Sequence, residues 1–269
     1  MTNPLLIALH DGTLTLTLNR PERHNAFDGA LIAALDAAFI TAERDPAVRL
    51  VVLAAAGRSF CAGADLDWMK AAAHQNHDKN LADARRLAGM LDHLSRLSKP
   101  TIARVQGAAY GGGVGLIAAC DMAIALDSTR FALTEVRLGL IPATISPYVI
   151  AAIGVRSSRR YMLTAESFDA PTAHALGLLH EICHDETALD QVLAQLIGAL
   201  KQNGPQALAA CKTLIADMAY APSPLTPQHL EESAQRIANL RATEEAQEGM
   251  SAFFARRPPR WCHRTGHKD

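Results

Sequence analysis

No excess of charge of either sign is present: 26 Lys and Arg stand against 27 Asp and Glu, a formal net charge of −1. The sequence therefore carries no global pull toward nucleic acid or an anionic membrane surface. Long apolar runs are missing too. None reaches the roughly 20 residues that a bilayer-crossing helix needs. The opening MTNPLLIALHDGTLTLTL has neither the basic start nor the unbroken apolar run of a secretory signal, so a cytoplasmic protein is the expectation. The cysteines Cys61, Cys120, Cys183, Cys211 and Cys262 are scattered and odd in number, which argues for reduced thiols rather than a disulfide framework. Repeats and low-complexity tracts are absent. What is there is 269 residues, 49% hydrophobic and 20% charged, an ordinary globular make-up with length enough for a sizeable core.

Around Asp11-Gly12, residues 5–9 and 13–18 alternate as a hairpin. Asp28 is placed to N-cap a helix that carries Leu31, Leu35, Ala38 and Ala42 at helical spacing. Residues 49–54 read as a buried strand leading to the loop Phe60-Cys61-Ala62-Gly63-Ala64-Asp65. Residues 68–80 show no clear period and read as a mobile lid or a frayed helix, whereas 83–97 read as an amphipathic helix. Residues 122–126 and 131–133 are strand-like, and strands alternating with helices point to an α/β architecture. From Asp185 onward strand signals vanish, and helical runs are broken at Gly204-Pro205 and at Pro222, Pro224 and Pro227. The expected division is an α/β core over 1–200 and a helical region over 201–269. With apolar faces and little core of its own, the latter should pack on another subunit.

The stretch 99–121, KPTIARVQGAAYGGGVGLIAACD, organises the chain: a β-rich run, three consecutive glycines, then a small apolar helix. The first N–H groups of a helix lack intrahelical partners and point at whatever lies in front. Bare glycine backbone lets a ligand come close to them, which makes an anion or oxyanion site. Gly113-x-Gly115-x-x-Ala118 also spells a dinucleotide fingerprint, with Glu135 about 20 residues on. The strand–helix–strand context which that motif requires is missing around Glu135. His180-Glu181-Ile182-Cys183-His184 spells a zinc-protease pattern that works only on a helix; residues 178–182 read as a strand, so no metal site is expected. The charges of 70–86 are too diluted by acids to track phosphates.

Six segments in one order, NRPERHNAF (19–27), FCAGADLDWM (60–69), GAAYGGGVGLIAACD (107–121), FALTEVRLGLIP (131–142), TAESFDAPTAHALGLLHEI (164–182) and ARRPPRW (255–261), resemble the crotonase (enoyl-CoA hydratase/isomerase) superfamily. The resemblance implies an α/β, ClpP-like spiral of ββα units with a C-terminal helical trimerisation region, assembled as a homotrimer or hexamer. It implies an acyl-CoA thioester substrate, coenzyme A being part of that substrate, with no separate cofactor, metal, nucleic acid or membrane partner. The thioester oxygen would be held by the N–H groups of Ala64 and Gly112, each worth about 3 kcal/mol when aimed at developing charge. Glu135 would transfer the proton. CoA would contact Arg23, His24, Ala26, Ala62, Gly63 and Leu66.

Typical hydratases of that superfamily carry a second glutamate two residues after the glycine triplet, where this chain has Gly115. Either Glu135 then takes both proton steps through a shared water, or another group helps, or the enzyme does not hydrate. That leaves three alternatives: 2-enoyl-CoA hydration, 3,2-enoyl-CoA isomerisation, or acyl-CoA binding without catalysis. GGGVGLIAACD with LGLIPATISPYV is similar to bacterial methylglutaconyl-CoA hydratase-like proteins of leucine and acyclic isoprenoid breakdown, which implies a branched or carboxylated substrate. Gly115, Thr144, Ser146 and Tyr148 would then line the pocket, and Arg137 would meet a substrate carboxylate. Local alternatives are helix capping for Thr144 or Ser146, core packing for Tyr148 and a surface charge for Arg137.

Overall fold

The computed structural model describes residues 3–219 and 224–262, so Pro222 lies outside the described residues. The chain divides into two compact units, Met1–Leu97 with Thr101–Gln195, and Leu196–Asp269 with Ser98–Pro100.

In the first unit, β1 (Leu5–His10) and β2 (Thr13–Leu18) form the hairpin, with Leu5 opposite Leu18. Asp28 Oδ1 accepts from the Leu31 N–H at 2.8 Å and starts α1 (Gly29–Arg44), which buries Leu31, Ile32, Leu35, Ala38, Phe39 and Ala42. Then follow β3 (Leu50–Ala55), β4 (Ser59–Cys61), α2 (Leu66–Ala73), α3 (His77–Arg96), β5 (Thr101–Val105), β6 (Ala108–Tyr110), α4 (Gly112–Ala119), β7 (Met122–Leu126) and β8 (Arg130–Ala132). After a 3-10 helix at Glu135–Leu138 come α5 (Ser146–Thr164), β9 (Phe168–Asp169), α6 (Ala170–Ala175), β10 (Glu181–Cys183) and α7 (Glu186–Lys201).

Six strands form one sheet in the order β1-β2-β3-β5-β7-β10 and four form another in the order β4-β6-β8-β9. From β3 on, the chain sends one strand to each sheet and then a helix before returning. β3/β5/β7 and β4/β6/β8 therefore pair in parallel, and three ββα turns stack along the chain. Phe27, Phe39, Phe60, Phe131, Leu16 and Leu53 are fully buried in this unit, each worth about 1.5–3 kcal/mol of transfer free energy.

The expectation of a lid or frayed helix over 68–80 is corrected: α2 and the first turn of α3 occupy it. Asp65 and Asn76 accept from N–H groups of their helices' first turns, and these caps start helices that apolar periodicity does not announce. The second helix begins at His77, six residues before the expected 83. His180 and His184 flank the strand β10 rather than sharing a helix face, and His180 Nδ1 accepts from the Ala123 N–H at 3.2 Å. Among the described residues no group of three His, Cys, Asp or Glu side chains is placed to hold a metal.

The second unit contains α8 (Pro205–Met218), α9 (Pro227–Arg241) and α10 (Glu244–Phe254). The Glu245 carboxylate accepts from the Gln206 and Ala207 N–H groups at 3.0 and 2.9 Å, capping α8 from α10. Ile215, Leu230, Phe253 and Phe254 are exposed. The expected division near residue 200 falls inside α7. No helix among the described residues is long and apolar enough to cross a membrane.

Candidate active site

Three groups lie just past the C-terminal ends of three neighbouring parallel strands: Ala64 after β4, Gly112 after β6 and Glu135 after β8. Adjacent strands are about 4.8 Å apart, so the sheet itself brings these loops together. Ala64 makes an isolated parallel bridge with Phe27. The Phe27 N–H donates to the Gly63 carbonyl and the Asp65 N–H donates to the Phe27 carbonyl, both at 2.7 Å. Because peptide groups alternate in direction along an extended strand, the Ala64 N–H points away from Phe27. Among the described residues it has no backbone acceptor.

Gly112 opens α4, and its N–H is one of the helix's unpaired first donors. Two close approaches bring it beside Ala64. A Cβ on Gly63 would stand 3.0 Å from the Tyr110 carbonyl oxygen, and one on Gly113 would stand 2.4 Å from that of Cys61. The backbones of the two loops are therefore packed directly on each other. Burial pushes the Cys61 thiol up to about 12, so it stays neutral behind the donors.

Glu135 begins the 3-10 helix after β8, and its carboxylate lies over Gly111: Oε1 is 3.0 Å from where a Cβ would stand. Gly111 has φ +49°, which a side chain would strain. Glu135 Oε2 is buried with no hydrogen-bond partner. Burial raises the acid above the ordinary glutamate value, with its own backbone N–H pulling weakly the other way. A carboxyl with one oxygen unpartnered, beside two N–H donors, can abstract and return a proton next to a polarised carbonyl.

Gly115 lies one turn into α4, with Ile145 against it. A Cβ at 115 would fall 2.2 Å from Ile145 Cγ2 and 2.7 Å from Ile145 Cβ. The place of a side chain at 115 is thus filled from the start of α5 by a buried isoleucine. Of the other pocket candidates, Ser146 Oγ donates to the Ala143 carbonyl at 2.8 Å, a local turn contact. Thr144 is half-buried. Tyr148 packs on the core; burial and the nearby Asp92 raise its phenol against the pull of Arg96, so its charged neighbours are on α3. Arg137 donates one N–H to the Ala165 carbonyl at 2.8 Å, at the C-terminus of α5.

The expected CoA contacts gather around the same loops. Arg23 pairs with Asp67 at 2.9 Å on the surface. His24 lies 3.0 Å from Ser59 Oγ and 3.1 Å from Arg58 Nη2, and its carbonyl accepts from the Ala62 N–H. Ala26 and Gly63 are buried, whereas Leu66 is 71% exposed at the start of α2. Three residues of this region escape a reading of motifs. Arg20 spans Ala26, Asp28 and Asp65; Asn25 is buried and donates to the Ala56 and Ser59 carbonyls at 2.8 Å; Phe27 lies between the donor loops. The available signal was an Asp immediately before a helix, the mark of an N-cap, which points to Asp65 but not to its arginine.

The profile of the family described as enoyl-CoA hydratase/isomerase matches residues 9–264. A crystal structure of an enoyl-CoA hydratase from Shewanella pealeana superposes with a TM-score of 0.91 at 43% identity, covering 96% of each chain. A putative enoyl-CoA hydratase of Thermus thermophilus is 33% identical over 91% of this chain and 95% of its own length. An enoyl-CoA hydratase of Alternaria alternata is 37% identical over 76% of this chain, which spans 66% of that relative's length.

Proposed function

The chain belongs to the enoyl-CoA hydratase/isomerase family, and from that premise we propose that it hydrates a 2-enoyl-CoA with Glu135 as the single acid–base group. Acyl-CoA processing is the chemistry of the family. The observation that carries the reading is the buried, unpartnered Glu135 Oε2 beside the free N–H groups of Ala64 and Gly112. In this mechanism the two N–H groups hold the thioester oxygen. Glu135 takes a proton from water as the water oxygen bonds to Cβ, and the Cα=Cβ pair moves toward the thioester to form an enolate. The protonated carboxyl then gives its proton to Cα, the enolate collapses, and one water has been added across the double bond. A raised pKa suits a group that must act first as base and then as acid.

One observation favours a second reading. Ile145 fills the space of a side chain at 115, and a lone carboxyl can shuttle one proton between the α and γ carbons, as 3,2-enoyl-CoA isomerisation requires. The similarity of residues 138–149 to methylglutaconyl-CoA hydratase-like proteins supports a branched or carboxylated acyl group. The exposed Ile215, Phe253 and Phe254 of the second unit support a homotrimer or hexamer.

The test is turnover of short and branched 2-enoyl-CoA thioesters in isotopically labelled water by wild type and Glu135→Gln. Labelled 3-hydroxyacyl product, and a loss of about 10²–10⁴ in the variant, are expected. Undiminished turnover in the variant would remove Glu135 from the mechanism, and conversion of a 3-enoyl thioester without label uptake would move the assignment to isomerase.

A further inference from the structure

The two proposed donors sit on different loops, yet both touch one residue. The Phe27 backbone pairs with Gly63 and Asp65, the residues on either side of Ala64, at 2.7 Å in each case. The Phe27 ring lies against Gly112: a Cβ there would be 2.7 Å from Phe27 Cε2 and 2.8 Å from Cδ2. The side chain is 1% exposed, so the ring has no space into which to retreat. One residue thus sets the direction of the first N–H through its peptide groups and the approach of the second through its ring.

Arg20 fixes that residue from behind. Its Nη1 donates to the Ala26 carbonyl at 2.6 Å, and its Nη2 lies 3.0 Å from both Asp28 Oδ2 and Asp65 Oδ2. Ala26 and Asp28 flank Phe27, and Asp65 follows Ala64. The guanidinium therefore staples the two strands of the Phe27–Ala64 bridge at both edges. The two carboxylates it joins are also helix caps. Asp28 accepts from the Leu31 N–H at the start of α1, and Asp65 accepts from the Asp67 and Trp68 N–H groups at the start of α2. Burial works against the Asp65 charge, but those N–H groups and Arg20 outweigh it and hold the acid below its ordinary value. A fork of fixed donors suits this three-way contact, which a lysine meets only in part.

We infer that Phe27, stapled by Arg20, is the positioning residue that sets the spacing of the Ala64 and Gly112 N–H groups. The inference rests on the reading of those groups as the thioester-oxygen donors. Displacing a donor by a fraction of an ångström weakens the polarisation of the carbonyl more than the binding of CoA. The effect should fall on kcat rather than KM.

The experiment uses the full chain with a bound, carbonyl-labelled 2-enoyl-CoA, reading the thioester C=O stretch by difference infrared spectroscopy alongside kcat and KM. Wild type and Glu135→Gln should both show the carbonyl moved to lower frequency, because the donors are intact in both. Phe27→Leu and Arg20→Met should each lose part of that shift and about 10- to 100-fold in kcat with KM within about twofold, and Arg20→Lys should recover part of each loss. If Phe27→Leu does not fold, the two Arg20 variants carry the test. A full shift and unchanged kcat in the folded variants would overturn the positioning role while leaving the donors assigned. No shift in wild type would overturn the donor reading and the inference with it.

Discussion

Gly115 against Ile145 offers the sharpest test of how the site is closed. In Gly115→Ala the new Cβ would overlap Ile145 Cγ2 at 2.2 Å and Cβ at 2.7 Å. Ile145 is 2% exposed and holds the N-cap position of α5, so it cannot swing into solvent. Forcing a methyl group into such a place costs about 1–3 kcal/mol. Alanine in a helix interior returns at most about 1 kcal/mol over glycine. The difference is a net loss of up to about 2 kcal/mol, which corresponds to a fall in Tm of up to about 8 °C for a chain of this size. In an Ile145→Gly background the nearest remaining atom is the backbone Cα at 3.7 Å, an ordinary contact, and glycine is tolerated at an N-cap. That background is itself less stable, but within it the step Gly115→Ala should become neutral or stabilising. The measurement is a double-mutant cycle on Tm or urea midpoint. If Gly115→Ala raises Tm in the wild-type background, Ile145 does not close the position. A second carboxyl introduced as Gly115→Glu would then be expected to fit without any change at 145.

Further outcomes follow from the charges. Since burial raises the Glu135 acid, the folded state binds that proton more tightly than the unfolded chain, and stability falls as pH rises between the ordinary and the raised value; Glu135→Gln should therefore lose turnover yet gain Tm at neutral pH, and a lower Tm would contradict this. By the same direction, the acid limb of kcat/KM for hydration should lie above the ordinary glutamate value, because the base must be ionised in the free enzyme; a limb at or below that value would exclude Glu135 as the base. In the second unit, the Arg257 side chain and, against the effect of burial, the Arg260 N–H hold Glu248 at about 2 rather than 4.5; its contribution to stability is present above the ordinary value and fades as pH falls toward 2, and Arg257→Ala should bring the titration, followed by carbon NMR of the carboxyl, back toward 4.5. Light scattering at micromolar concentration should report three or six chains, and Phe253→Glu with Phe254→Glu should shift the protein toward monomer; a monomeric wild type would contradict the assembly.

Much of the architecture was legible because it is written locally. The Asp11-Gly12 hairpin, the Asp28 cap and the glycine triplet before α4 each depend on a few adjacent residues. What lay hidden depends on partners distant in sequence. α2 buries no residue and α3 buries only Met90, Leu91 and Leu94 near its C-terminal end, so neither shows an apolar stripe where they meet; only the caps Asp65 and Asn76 mark them. Glycine at 115 is visible in the sequence, but that an isoleucine 30 residues later fills its place is not. Likewise Arg23, the more exposed arginine, is drawn toward CoA by its motif, while the structural work of that segment falls to Arg20 and Phe27, whose partners Asp65 and Gly112 lie 45 and 85 residues on. Ser146 and Arg137 are occupied by nearby carbonyls, contacts whose geometry a linear reading does not contain.

Ala64, Gly112 and Glu135 each follow a strand of the same parallel run, and in the proposed mechanism two of the three act through main-chain N–H groups. Their common neighbourhood is thus inherited from the hydrogen-bond ladder of the sheet, and side chains such as Phe27 and Arg20 have only the final spacing left to set. Sequence can drift in the pocket walls, changing which acyl group is welcome, while the reacting geometry stays put. In such a framework specificity and chemistry are separately editable, and a new substrate is within reach of a few wall substitutions without any need to reinvent the reaction.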